Sequence, residues 1–298
     1  MEETNLFKEH NNDSIIVYKS FYKDFFATII KKVSFILPCI ILLSIFIVGL
    51  LFCHFIDIDN HMAINLKNSF ISPSFEYPFG TNQFGQNQLY SIFIGAYKTL
   101  ALAFCATAIN TILGIIFGIM WGTNKLFDKV MFVIKNIVDN VPLIFFYVLI
   151  IMFLGDGFIP LLIVVVIFGW VDFAYLVRNN LMIIKSKDYN KVSQLFKVPM
   201  RTRAFNNYLP SILPILFNNI ALCIPKIVAL EILISYFGFS FGGSYPSLGM
   251  LFYSSIYSNN YFIEPHVFFI PFAFLLTINL CTYFISKTIS NNFIKERI

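Results

Sequence analysis

The residue types that most often carry chemistry are few in this 298-residue chain, and they are scattered. Its five cysteines fall in or beside apolar runs without close pairs, and its four histidines (His10, His54, His61 and His266) show no metal-ligand spacing. The nucleotide-binding pattern Gly-x-x-x-x-Gly-Lys-Ser/Thr is missing, as are the hydrolase patterns Gly-x-Ser-x-Gly and His-Glu-x-x-His. We therefore expect no catalytic residue, no metal and no cofactor in this chain.

Charged side chains inside apolar runs are the remaining candidates for a site. A charge near the centre of a bilayer costs about 2.5–3.5 kcal/mol, so each should face a partner or a cavity. Lys135 and Asp139 are four residues apart and could neutralise each other, or Asp139 and Asn140 could line a polar path. Three further charges could pair among themselves: Asp172, Lys226 and Glu231. The path candidates are Asp139, Asn140 and Glu231.

The composition identifies the environment in which these residues must be positioned. The chain is 58% hydrophobic and 12% charged, with a mean hydropathy of +0.75, whereas globular domains are about half apolar and about a quarter charged. This predicts an all-α polytopic protein of the lipid bilayer. The net charge of +5 comes from cations that lie between apolar runs, so we expect no nucleic-acid partner.

Six apolar runs approach the ~20 residues that a membrane span requires. They cover residues 33–56, 91–121, 132–154, 158–181, 212–238 and 266–286. Pro142, Pro225 and Pro271 lie inside three of them, where kinks are expected. Gly114 and Gly118 are four residues apart and predict a close contact between two helices.

Lysine and arginine in the connections predict the orientation. With the N-terminus inside, seventeen of these cations lie in inner segments and one, Lys67, in an outer segment. Both termini are therefore expected in the cytoplasm. The predicted divisions are an N-terminal segment with an interfacial helix (1–32), a first span with an outer loop (33–90), a core (91–290) with an inner loop (182–211), and a tail (291–298).

The inner loop contains the most unusual stretch, residues 187–210, which we call the basic segment. Seven cations and one anion, Asp188, lie between Arg178 and Arg203. Tyr189, Val192 and Phe196 recur at helical spacing, with Leu195 beside them. The pattern predicts a short amphipathic helix, which could lie on the lipid surface or dock on a soluble partner.

Three blocks of residues resemble the permease subunits of dipeptide, oligopeptide and nickel ABC importers, specifically the second permease of the pair. The first block is PFGTNQFG at residues 78–85 followed by GAYKTL at 95–100, and the second is the basic segment. The third is residues 231–251, which end in Pro246-Ser247-Leu248-Gly249-Met250-Leu251 and resemble the family's Pro-Ser-x-Gly pattern. With the six runs, the resemblance covers most of residues 30–290.

This resemblance implies the type I importer permease fold and a non-catalytic subunit in a bacterial inner membrane. It also implies a homologous second permease, two ATP-binding cassette subunits that bind and hydrolyse the ATP, and an extracellular or periplasmic solute-binding protein. The residues that would contact the ATPase are Asp188, Tyr189, Lys191, Val192, Ser193, Gln194, Leu195, Phe196 and Lys197. The expected solute is a di- or oligopeptide; a nickel or metallophore importer and a non-transporting assembly or sensor subunit are the alternatives.

The chain departs from the family pattern at two places. Lys191-Val192-Ser193 replaces the usual Glu-Ala-Ala, and Lys197 replaces a glycine. The reversed charge predicts a more acidic groove on the partner ATPase, or else a poorly coupled permease. After Gly85, Gln86-Asn87 stands where the family usually has Arg-Asp.

Overall fold

The regular structure is helical throughout the described part of the chain. The computed structural model describes residues 27–55, 64–187, 196, 198–204, 208–239, 241, 246–258 and 264–295. Its helices are α1 (Val33–Phe55), α2 (Gln88–Thr123), α3 (Lys125–Asn140), α4 (Leu143–Leu154), α5 (Phe158–Ser186), α6 (Met200–Arg203), α7 (Leu209–Tyr236), α8 (Leu248–Tyr257) and α9 (Pro265–Lys295). The predicted all-α polytopic architecture is confirmed.

Five helices in the described residues are long and apolar enough to span a membrane: α1, α2, α5, α7 and α9. They correspond to five of the six predicted runs, and most extend beyond the predicted bounds. The remaining run, residues 132–154, is covered by α3 and α4, which meet at an angle of 91°, so the kink expected at Pro142 is confirmed. The number reaches six when this bent pair is taken as one span.

Pro142 explains where the third span breaks. The residue before a proline is pushed into extended backbone, and Val141 adopts φ −98° and ψ 132° there. Because proline has no N–H to donate, α3 ends at Asn140 and α4 begins after Pro142. By contrast, Pro225 and Pro271 lie inside uninterrupted helices.

Glycines allow α2 and α5 to pack closely along three turns. A Cβ at Gly114 would overlap the Phe173 side chain, and one at Gly118 would lie 2.6 Å from the Val177 Cβ. Gly122 continues the same row against Leu181. The close contact predicted from the glycine spacing is confirmed, and it fixes α5 beside α2.

The described part of the connection between α1 and α2, residues 64–87, forms turns around the PFGTNQFG block. Gly80 and Gly85 both adopt φ +73°, a conformation that glycine adopts without steric cost. The Asn82 amide nitrogen donates to Gln86 Oε1 at 3.0 Å, and the Asn87 side chain accepts from Leu89 N at 3.0 Å and caps α2. The residues that replace the family's Arg-Asp thus take part in structural hydrogen bonds.

The beginning of α1 and the end of α9 lie at the same end of the helix bundle, because Lys32 Nζ donates to the Asn292 side chain. Near this end α9 also contacts α7, where Ser286 Oγ donates to Asn218 Oδ1 at 2.7 Å. Of the predicted interfacial helix that precedes α1, the structure describes residues 27–32, in which 27–30 are helical and the buried Ile29 packs with Ile289 of α9.

Candidate functional site

A cavity of about 440 Å³, lined by apolar and polar side chains, lies between α2, α3, α4, α5 and α7. We call it the cavity; its polar lining residues are Asn110, Tyr147, Asp172, Tyr175, Asn179, Asn180, Asn219 and Lys226. Asp172 is fourteen residues from either end of α5, which places it about 21 Å along the helix axis from each end. The cavity therefore brings polar groups deep into the apolar part of the bundle.

One charge in the cavity already has a partner. The buried Lys135 donates to Asp139, as the i, i+4 spacing predicted, and also to Asp172 Oδ1 at 3.0 Å. Its ammonium group lies 5.4 Å from the centre of the Tyr175 ring. Lys135 therefore ties α3 to α5 and offsets one of the two negative charges of Asp139 and Asp172.

The three residues predicted to line a translocation path lie at two separate places in the structure. Asp139 and Asn140 lie on the exposed end of α3, and the Asn140 amide donates to Asn136 O at 2.7 Å. Neither is a lining residue of the cavity. Glu231 is only 1% exposed and is enclosed by α2, α7 and α8. In this conformation Glu231 faces no open path, and its proposed pairing with Asp172 and Lys226 is not formed.

Instead, Glu231 accepts hydrogen bonds from four neutral groups. The donors are Thr99 Oγ1 (3.4 Å), Ser235 Oγ (3.1 Å), Gly249 N (3.2 Å) and Ser247 Oγ. Leu248 N in turn donates to Thr99 Oγ1 at 3.2 Å. A Cβ at Gly249 would lie 2.5 Å from Glu231 Oε2, so glycine is required there. We call these residues the Glu231 cluster; they join α2, α7 and the start of α8.

Sequence reasoning missed the asparagines of the cavity. Asn110 is 1% exposed, and its Oδ1 has no hydrogen-bond partner in the described structure. Asn219 and Lys226 are seven residues apart on α7 and share one helix face. The available signal was an amide side chain inside an apolar run, which has to be satisfied by something other than lipid.

Eight of the nine predicted ATPase contacts lie outside the described residues: Asp188, Tyr189, Lys191, Val192, Ser193, Gln194, Leu195 and Lys197. Phe196, the ninth, is 75% exposed. Two described residues that follow it are buried. Ala204 and Tyr208 are buried against α5 and α7.

One apolar cluster contains both residues, and we call it the inner seam. Its buried members are Phe173, Val177, Leu181 and Ile184 from α5, Ile212 and Leu216 from α7, and Ala204 and Tyr208, which precede α7. The spacing of three or four residues places the α5 members on one helix face. The inner seam therefore connects the end of the basic segment to the two helices that carry Asp172 and Lys226.

Residues 114–295 match the family described as the inner membrane component of binding-protein-dependent transport systems. The matched region includes α3 to α9, the cavity lining except Asn110, the inner seam and most of the Glu231 cluster. The chain belongs to this family.

Three relatives of this permease carry names that state their solutes. It is 24% identical to the oligopeptide transport system permease protein AmiD of Streptococcus pneumoniae, over 91% of this chain and 89% of the relative. It is 23% identical to the oligopeptide permease OppC of Bacillus subtilis, over 79% and 77% of the two chains. It is 26% identical to the dipeptide permease DppC of Lactococcus lactis, over 73% and 63%.

The Glu231 cluster shows what two blocks of the family pattern do in this permease. Thr99 belongs to the GAYKTL block, whereas Glu231, Ser247 and Gly249 belong to the third block. A Cβ at Gly95 of the first block would lie 3.0 Å from Leu248 N. The two blocks thus form one packing site, which positions α8 against α2 and α7.

Proposed function

We propose that this permease is half of the translocation pore of an ATP-driven importer of di- and oligopeptides. Family membership supports a role in binding-protein-dependent transport, and the names of the relatives support peptides as the solute. A homologous second permease would complete the pore, two ATP-binding cassette subunits would supply the energy, and a solute-binding protein would deliver the peptide.

The observation that carries this proposal is the inner seam. Ala204 and Tyr208 belong to the last part of the basic segment and are buried in one apolar cluster with residues of α5 and α7. A displacement of the basic segment by an ATPase would therefore move groups that are packed against the cavity-lining helices. Protein interiors are close-packed, so such a displacement is transmitted as a shift of the helices and is not absorbed locally.

The charge distribution supports a cytoplasmic location for the basic segment. Lys185 Nζ donates to Gly122 O at 2.5 Å, so the ends of α2 and α5 are neighbours. Arg178 Nε and Nη2 donate to Asp128 at 3.0 and 3.2 Å near the same end. This end carries most of the cations of the connections, which favours the cytoplasmic side for it and for both termini.

The proposal is tested by the double substitution Leu195→Asp and Phe196→Asp in the complete transporter. Charges placed on the predicted apolar contact face should abolish co-purification of the ATPase subunits, because a buried unpaired carboxylate strongly disfavours docking. Leu126→Asp is the matched control, since Leu126 is 76% exposed at the start of α3. Undiminished co-purification of the double variant would count against the proposed coupling.

A direct transport measurement tests the solute. Cells that lack other peptide uptake systems should accumulate labelled Ala-Ala-Ala when the complete transporter is expressed and ATP is available. Absence of uptake by a correctly assembled complex would remove peptides from the proposal.

A further inference from the structure

Lys226 is an exposed cation in the middle of a membrane-spanning helix. It lies seventeen residues from the start of α7 and ten from its end, or about 25 Å and about 15 Å along the axis. A lysine at that depth cannot remain in contact with lipid tails at low cost. Lys226 lines the cavity, and no ion pair involves it among the described residues. Its charge is therefore available to something that enters the cavity.

The opposite charge in the cavity, Asp172, is partly offset. Asp172 accepts from Lys135 at 3.0 Å, so its carboxylate has a resident cation. Lys135 also binds Asp139, so one lysine is shared between two carboxylates and Asp172 keeps part of its negative charge. Lys226 is the cation among the cavity lining residues, so an anionic group of a solute would bind there.

Amide side chains surround this cation. Asn110 is buried, lines the cavity and has an unpartnered Oδ1, which is a polar atom that requires a donor. Asn219 lies two helical turns before Lys226 on the same face. Asn180 uses its amide nitrogen on Leu176 O at 2.8 Å, which leaves its oxygen as an acceptor. Such groups match the alternating donors and acceptors of a peptide backbone.

We propose that Lys226 binds the C-terminal carboxylate of a peptide in the cavity, while Asn110 and Asn219 bind the peptide backbone. The inference rests on the proposed import of peptides and adds to it a residue that selects for a free carboxylate. An ammonium–carboxylate contact is short and strong when water is partly excluded. The loss of one such contact is expected to reduce uptake of the peptide roughly tenfold.

The test compares uptake of Ala-Ala-Ala with uptake of its C-terminal amide by the complete transporter. The wild type should favour the free acid. Lys226→Gln should lower uptake of the acid roughly tenfold and leave uptake of the amide unchanged, so that the preference falls towards one. Lys226→Arg should keep the preference because it keeps the charge. The preference of the solute-binding protein cancels, since every variant is compared with the same binding protein.

Lys287→Gln is the matched control, because it removes one positive charge near the end of α9, outside the cavity lining. The inference is overturned if Lys226→Gln keeps the wild-type preference, or if it lowers uptake of both peptides equally. If the wild type takes up no amide, uptake of the free acid is the only readout. Reduced uptake of the acid by Lys226→Gln, with normal uptake by Lys226→Arg, supports the inference. Unreduced uptake by Lys226→Gln overturns it. Failure of the wild type to import either peptide refutes the proposed function instead.

Discussion

The Glu231 cluster makes a prediction about the attachment of α8 to the spans. In Glu231→Ala, four donors lose their acceptor. Ser235 and Thr99 lie within helices and can turn their hydroxyl groups towards a backbone carbonyl of the preceding turn. Ser247 and Gly249 have no such substitute, because Ser247 precedes α8 and the Gly249 N–H is fixed.

The magnitude follows from these two lost hydrogen bonds. Each buried donor without a partner costs about 1–3 kcal/mol. Removal of a buried carboxylate offsets part of this, because its desolvation penalty disappears. We expect a net loss of about 2–4 kcal/mol in the free energy that holds α8 in place. Glu231→Gln should lose only about 1 kcal/mol, since its oxygen can still accept from Gly249 N while Ser247 Oγ turns to accept from its amide group.

Hydrogen exchange of the amides in Leu248–Tyr257 measures this free energy directly, because local opening sets the exchange rate. A loss of about 3 kcal/mol corresponds to roughly hundredfold faster exchange. Ser247→Ala should lie between the two Glu231 variants, since Ser247 Oγ also accepts from Met250 N at 3.1 Å. Unchanged exchange in Glu231→Ala, or equal acceleration in Glu231→Gln, would refute the assignment of the carboxylate as the acceptor that fixes α8.

Two further predictions concern helix packing. Gly118→Val should destabilise the permease by about 1–3 kcal/mol, because a side chain there overlaps the backbone and Cβ atoms of α5. Gly122→Ala is the control and should be tolerated better, because the added Cβ meets the end of the flexible Leu181 side chain at 2.9 Å. Thermal unfolding in detergent compares the stability of the two variants. Equal losses of stability would contradict the packing argument. Lys135→Met should lower the yield of folded protein, and Lys135→Met combined with Asp172→Asn should recover part of it, as a double-mutant cycle can measure. Additive losses in that cycle would show that the Lys135–Asp172 contact does not contribute to folding.

The features that the sequence predicted correctly are local ones. One is the Lys135–Asp139 ion pair, and another is the contact of Gly114 and Gly118 with α5. Each depends on two residues four positions apart, which helix geometry alone brings to one face. The apolar runs predicted five spans for a similar reason, since a length of ~20 apolar residues is a local property.

The size of the bend at Pro142 could not be predicted from the sequence, and neither could the Glu231 cluster. Both depend on contacts between residues that are far apart along the chain. A proline removes one hydrogen bond, but packing against neighbours decides whether the chain bends slightly or by 91°. Thr99 is 132 residues from Glu231, so no periodicity indicates that they meet. The cavity is lined by residues of five helices, and sequence patterns can identify such residues as polar but cannot assemble them.

The arrangement of α5 indicates which interface would move if an ATPase displaced the basic segment. Phe173, Val177 and Leu181 lie against glycines of α2 at distances that leave no space for a side chain, so α2 and α5 should move as one unit. The inner seam joins this unit to α7 only through side chains, which can change rotamer and slide. Asp172 is on α5 and Lys226 is on α7, the two helices that the seam joins, and both line the cavity. We therefore expect the α5–α7 interface to open and close, and a disulfide between cysteines introduced across it to stop transport while one across the α2–α5 interface does not.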